Sequence, residues 1–328
     1  MLLISYGTRP EWIKIKPILS DLKIPYKLLR IGQHKDLVDG PYDLKIDVED
    51  SLGNRLDCIF KSIMDNSEIF SDVHHVMVQG DTASAAAVAL ASFHRKIPVI
   101  HLEAGLRTGN IMSPYPEEFY RKMISGLAFL NLCPTHKASV NLFCEGIDPQ
   151  KIHVVGNTVC DNLRDVTSTE QGKEVLITMH RRENHKDMGR WFSVINELAK
   201  NNKDLQFTLP LHPNPNVQVH RNLLTDVNVI DPIPYDEFIE RLSKCRFVIS
   251  DSGGIQEEAA HLKKFCIVCR ENTERSEGLY LFSRLCPVPK GLYAAFKEVR
   301  DNYKVPSVGC PYGDGFSGER VANILNSL

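Results

Sequence analysis

The sequence predicts an α/β fold of two Rossmann-like halves facing a central cleft. Three observations carry that prediction. Short apolar runs alternate with longer amphipathic ones along the chain, the pattern of parallel, doubly wound sheets. These runs fall into two series separated by the polar stretch 164–172, the best linker candidate. The chain of 328 residues is also longer than one domain of about 150 residues.

In chain order, the first series predicts strands at 2–6, 26–31, 75–79, 98–102 and 130–133. The opening run from Met1 to Tyr6 lacks the basic start and long apolar core of a signal peptide, so it reads as the first strand. The second series predicts strands at 175–178, 205–209, 227–230, 247–250 and 266–269. Helical patterns fall between them, among them 12–22, 82–93, 117–127, 189–201 and 235–244. The expected domains are therefore 1–163 and 173–304. A tail rich in Pro and Gly follows, with a last helix within 305–328 that is expected to pack back on the first domain.

Composition narrows the class. Hydrophobic residues make up 43% and charged residues 24%, which suits a soluble globular enzyme or binding protein. A net charge of −2 gives no support to a nucleic-acid or membrane partner, and no apolar run reaches spanning length. Nine cysteines, scattered and mostly inside apolar stretches, suit reduced thiols in a cytoplasmic protein. Cys266 and Cys269 have redox-motif spacing, but three residues apart on a strand they point to opposite faces. No second cysteine pair supplies a zinc site, so core cysteine is the reading and no metal is expected.

In open α/β sheets the ligand lies beyond the carboxyl ends of the strands, so the residues after each strand are the candidates. In the second half, Ser252-Gly253-Gly254 follows the strand 247–250 and opens a helix from Ile255. Its N–H groups suit a phosphate, and Glu258, one turn on, suits the hydroxyls of a ribose. Together they suggest a nucleotide diphosphate site, although an ordinary strand-to-helix turn reads equally well on that segment alone. Met179-His180-Arg181-Arg182 and Leu211-His212 place two histidines at strand ends, where His180 can meet a diphosphate. Arg275 adds a cation, and Phe238 can border a base, though a helical Phe is usually core. No Walker lysine motif or full dinucleotide fingerprint follows any strand.

The first half is acidic at the same edge. Gly7-Thr8-Arg9-Pro10-Glu11 follows the first strand, with Arg9 and Lys14 as candidate phosphate cations. Asp81, Glu103 and Glu117 stand after or near three strand ends. Grouped carboxylates repel one another, which should raise at least one pKa and suits a general acid or base. Each acid taken singly also fits a helix cap, Asp81 for the helix beginning at Thr82 and Glu117 for its own.

These motifs, taken in order, resemble the non-hydrolysing UDP-N-acetylglucosamine 2-epimerases. The resemblance runs from Gly7 to about Gly315 and rests on Gly7 to Glu11, Gly80-Asp81-Thr82, Leu102 to Gly109, Pro116-Glu117-Glu118, Gly156-Asn157-Thr158, His180 to Glu183, Asp251 to Glu258, Thr273-Glu274-Arg275 and Pro311 to Gly315. It implies a GT-B-type fold, a homodimer, and reversible inversion at C2 of UDP-N-acetylglucosamine with no metal or redox cofactor. The implied route eliminates UDP to a 2-acetamidoglucal and adds it back. Asp81, Glu103 and Glu117 would be the acid/base set, with the face each serves left open. Arg9, Lys14, His180 and the Ser252, Gly253 and Gly254 amides would hold the diphosphate. Glu258 would take the ribose, Phe238 would lie by the uracil, and Arg275 would join the nucleotide shell. Gln33, His34 and His212 fit a second, activating UDP-sugar site, although Asp36 departs from the neutral residue often found there. Gln79 replaces a common His, Met179 a small residue and Ile233 a Gln used by some members. A hydrolysing 2-epimerase or a GT-B glycosyltransferase would use the same fold. The Pro10-Glu11 pair counts against the first and the acid cluster against the second.

Overall fold

The structure is a computed structural model that describes residues 1–32, 40–48, 54–168 and 172–328. It forms two compact units: residues Met1–Asn162 with Gly313–Leu328, and residues Leu163–Tyr312. The second unit begins at the polar stretch expected to be a linker, of which residues 169–171 lie outside the described residues, as do Gln33, His34 and Asp36.

The first unit runs β1 (Leu2–Tyr6), α1 (Arg9–Leu19), β2 (Tyr26–Gly32), β3 (Leu44–Asp47), α2 (Arg55–Asp65), β4 (His75–Gln79), α3 (Ala83–His94), β5 (Val99–Leu102), α4 (Glu117–Leu127), β6 (Leu130–Cys133), α5 (His136–Cys144) and β7 (Ile152–Val154). Its strands form one sheet in the order β3-β2-β1-β4-β5-β6-β7, every pair parallel. Alternation along β1 sends Leu3 to one face and Leu2, Ile4 and Tyr6 to the other. Residues from α2, α3 and α4 cover the first face and residues from α1 cover the second.

The second unit runs β8 (Glu174–Thr178), α6 (Met188–Asn201), β9 (Gln206–Pro210), α7 (Pro215–Gln218), β10 (Asn228–Ile230), α8 (Tyr235–Lys244), β11 (Phe247–Ser250), α9 (Gly253–His261), β12 (Cys266–Val268), β13 (Ser283–Leu285) and α10 (Leu292–Asn302). Its sheet order is β10-β9-β8-β11-β12-β13, again all parallel. α6 and α10 fill one face around Trp191, Phe207, Phe247 and Phe296, and α8 with α9 fill the other. Cys266 and Cys269 go to opposite faces, as their spacing predicts, and both are buried free thiols. The last helix, α11 (Ser317–Asn326), belongs to the first unit, where Val321, Ala322 and Leu325 join the α1 face of its core. Among the described residues, no helix is long and apolar enough to cross a membrane.

Two strand–helix turns have local causes that bear on function. Thr8 caps α1, its hydroxyl accepting from the Glu11 N–H at 3.4 Å, and Pro10 falls in the first turn where its missing N–H costs nothing. The helix therefore starts three residues before the apolar periodicity does. Thr82 caps α3 in the same way, accepting from the Ala85 N–H at 3.1 Å. The capping roles expected for the acids are corrected accordingly. Asp81 stands outside the cap, and Glu117 is the first residue of α4, whose cap position is Pro116 with no side-chain hydrogen bond.

Candidate active site

Each sheet has one point where the strand order reverses, between β1 and β4 in the first unit and between β8 and β11 in the second. Ligands of open α/β sheets bind outside the carboxyl ends of the strands at such points. The loops that meet there are Gly7 to Glu11 with Gly80 to Thr82 in one unit, and Met179 to Glu183 with Asp251 to Gly254 in the other.

In the first unit the loops bring Asp81 and Glu103 to one edge, and Glu117 opens α4. The Gly80 N–H donates to the Leu102 carbonyl at 2.9 Å, so Asp81 and Glu103 leave adjacent strands side by side. Asp81 accepts from Arg121 Nε at 2.7 Å, and Arg121 also donates to the buried Glu118 at 3.0 Å. Glu118 in turn accepts from the Thr108 and Gly109 N–H groups, fixing the loop between β5 and α4. Glu103 is buried, and one of its carboxylate oxygens accepts from both Lys14 Nζ and Gln79 Nε2. Lys14, expected to meet a phosphate, is thus placed on an acid. Oε2 of Glu117 is buried with no hydrogen-bond partner among the described residues. Arg9 is half-buried in the first turn of α1.

Burial raises the carboxyl of Glu11 to about 7, because desolvation outweighs the hydrogen bonds it accepts. Glu103 also has a backbone φ of 66°, a left-handed conformation that favours glycine. A non-glycine residue there costs about 1–3 kcal/mol, and such strain clusters at working sites.

His101 was missed by sequence reasoning. It is fully buried between β4 and α4, with its ring nitrogens 3.1 Å from Ser125 Oγ and 2.8 Å from the Gly80 carbonyl. Burial lowers its pKa to about 4, so at neutral pH the ring is uncharged. The Nε2–H then donates to Gly80, anchoring the residue before Asp81, while Nδ1 accepts from Ser125. Its position inside a predicted strand read only as an apolar run, which hid that role.

In the second unit Asp251 is fully buried and organises the switch-point loops. It accepts from the His180 and Arg181 N–H groups at 3.0 and 2.9 Å and from Asn184 Nδ2 at 3.0 Å. His180 is held there by its backbone, and its ring stacks on His212, with centroids 5.2 Å apart and planes at 19°. Burial lowers the pKa of both rings against the opposing pull of the Asp251 carboxylate; Arg181 and His185 lower that of His180 further, and His180 and His185 that of His212, which favours the uncharged rings. The structure thus brings His212 to His180.

Ser252 sits at the cap position of α9 with no side-chain cap, so the first-turn N–H groups have no intrahelical acceptor. An added Cβ at Gly254 would meet nothing within 4 Å, whereas one at Gly253 would lie 2.5 Å from Arg275 Nη1. Arg275 is buried and donates to Glu257 at 2.7 Å and to Glu274. Glu274 accepts from Arg270 at 3.1 Å, and Arg270 donates to Glu183 at 2.7 Å. The guanidinium expected in the nucleotide shell is therefore a member of a buried ionic chain beneath the start of α9. Glu258 is buried and accepts from the Tyr235 hydroxyl at 2.8 Å. Phe238 is half-buried against the α8–α9 core.

Comparison with known proteins places the chain in a family. A family model for UDP-N-acetylglucosamine 2-epimerase matches residues 31–326. The chain is 39% identical to the UDP-N-acetylglucosamine 2-epimerase of Neisseria meningitidis serogroup A, with 84% of each chain covered. It is 35% identical to that of Campylobacter jejuni, covering 99% of this chain and 97% of the relative. A crystal structure of UDP-GlcNAc 2-epimerase from Neisseria meningitidis bound to UDP-GlcNAc superimposes with a TM-score of 0.92 at 34% identity over the whole of both chains.

Proposed function

The chain belongs to the UDP-N-acetylglucosamine 2-epimerase family, and from that premise we propose that it interconverts UDP-N-acetylglucosamine and UDP-N-acetylmannosamine without net hydrolysis. One carboxylate of the set Asp81, Glu103 and Glu117 removes the C2 proton. The electron pair left at C2 forms the C1–C2 double bond, and the C1–O bond breaks with its pair leaving on the β-phosphate of UDP. The glucal then takes a proton on the opposite face of C2, and the UDP oxygen re-forms its bond to C1. The first unit carries the proton transfers. The second holds the nucleotide, with His180 and the α9 amides toward the diphosphate and Glu258 toward the ribose.

The observation that carries this reading is the acidic edge of the first sheet. Asp81 and Glu103 stand at adjacent strand ends, each already touching a cation, and Glu117 opens the next helix with a buried oxygen that has no partner among the described residues. Carboxyl groups at such positions suit general acid and base work, which contributes about 10²–10⁴-fold. A neutral His180 donates to a departing phosphate without holding a permanent charge against it.

Proton NMR of UDP-N-acetylglucosamine incubated with the protein in deuterated water tests the proposal. The expected product is UDP-N-acetylmannosamine carrying deuterium at C2. Release of free N-acetylmannosamine with UDP would make the protein a hydrolysing 2-epimerase, and retention of the original C2 hydrogen would exclude proton abstraction altogether.

A further inference from the structure

Glu11 belongs to the first motif of the chain, yet the reaction as drawn gives it no task. Its side chain is buried to within 2% of full enclosure. Oε2 accepts from the Gly7 N–H at 3.0 Å and from the Thr8 hydroxyl at 2.7 Å, and Oε1 accepts from the Thr82 hydroxyl at 2.8 Å. One carboxylate thus joins the loop after β1 to the loop after β4 across the switch point of the first sheet.

The simplest account is a capping box, in which a glutamate three residues after a Thr cap folds back onto the start of its own helix. That motif explains the bonds to residues 7 and 8. It requires neither burial nor the third bond, which reaches a residue 71 positions away at the start of α3. Nor does stability account for it. Burial raises the carboxyl to about 7, so the native state binds a proton more readily than the unfolded chain, and the ionised group costs stability as pH rises toward that value. A buried carboxyl held at such a place, where its ionisation costs stability, points to a task that depends on geometry.

We propose that Glu11 is a positioning residue for proton transfer, strapping the Asp81–Thr82 turn to the loop after β1 so that Asp81 keeps its place against the substrate. Three contacts hold the turn. Glu11 grips Thr82 on one side of Asp81, His101 grips the Gly80 carbonyl on the other, and Arg121 takes the Asp81 carboxylate itself. The first two fix the backbone on both sides of the acid, and the third orients its side chain. This inference rests on the proposed epimerisation.

The test uses Glu11→Gln, Thr82→Val and the double variant of the full chain, followed by C2 exchange in deuterated water and by steady-state kinetics. Glu11→Gln removes the buried charge, so a melting temperature at or above that of the wild type is expected. With the strap weakened, kcat should fall on the order of 10- to 100-fold, because a displacement of about 1 Å is enough to cost that much, while KM stays within about threefold. The double variant should lose no more than the worse single one, since both cut the same strap. A folded Glu11→Gln protein with wild-type kcat, a loss confined to KM, or losses that multiply in the double variant would each overturn the inference while leaving the function intact. A wild-type protein that exchanges no hydrogen at C2 would instead overturn the functional reading, and this inference with it.

Discussion

The two switch points are tied in the same way but loaded differently. In the first unit the buried carboxylate of Glu11 gathers donors from both loops, and in the second Asp251 does so for His180, Arg181 and Asn184. Beside the first tie stand Asp81, next to the gripped Thr82, and Glu103, held by Lys14 of α1. Around the second stand two stacked neutral imidazoles and an uncapped helix start. A parallel sheet leaves the loops at its switch point to be joined, and a carboxylate with several N–H and O–H donors is an effective joint. What the site can then do depends on the side chains added to that frame. Acids that already touch cations suit proton transfer, while bare amides and neutral rings suit holding an anion.

The comparison is broken most directly by exchanging charge for shape at the acids. Asp81→Asn, Glu103→Gln and Glu117→Gln should each lower kcat by about 10²–10⁴-fold with little change in melting temperature. Steady-state kinetics and thermal unfolding of the purified variants decide it. Wild-type turnover in all three would remove the division of labour between the units, because the acidic edge would then be only structural.

A second change sharpens the comparison from the other unit. At Gly253 an added Cβ would meet Arg275, whose guanidinium is held by Glu257 and Glu274 and cannot swing aside. At Gly254 the same methyl would meet open space. Gly253→Ala should therefore destabilise the protein by about 1–3 kcal/mol and weaken UDP binding, as read by thermal unfolding and titration calorimetry. Gly254→Ala should leave stability nearly unchanged. Equal effects of the two would mean that the ionic chain beneath α9 yields, and that the turn is not held as described.

How much of this was legible in the sequence follows from what makes each element. Central strands such as β1, β4 and β11 are buried on both faces, so they appear as unbroken apolar runs, and all three have the predicted bounds. β3, β7 and β13 were missed. Each lies at a sheet edge, is three or four residues long and is only partly buried, so its sequence carries too few apolar residues to register. Asp81 and Glu103 could be put after strand ends because such positions can be counted along the chain. Their partners could not be read, because a pairing such as Glu11 with Thr82 or Lys14 with Glu103 depends on which strands become neighbours. The same holds for Arg275, whose bonds to Glu257 and Glu274 depend on how the start of α9 meets the loop after β12.

The smallest expected effect asks whether the second unit acts on binding alone. The Tyr235 hydroxyl donates to Glu258 at 2.8 Å; Tyr235 opens α8, and Glu258 sits one turn into α9. Tyr235→Phe removes that one donor and keeps the ring packed against the α8–α9 core. A single hydrogen bond of this kind contributes about 1 kcal/mol, which corresponds to roughly a fivefold change in an equilibrium constant. If Glu258 takes the ribose in ground state and transition state alike, the loss falls on KM and leaves kcat unchanged. A fall in kcat to match that of the acid variants would instead mean that the ribose contact tightens as UDP departs, so that the second unit shares in the chemistry as well as in holding the nucleotide.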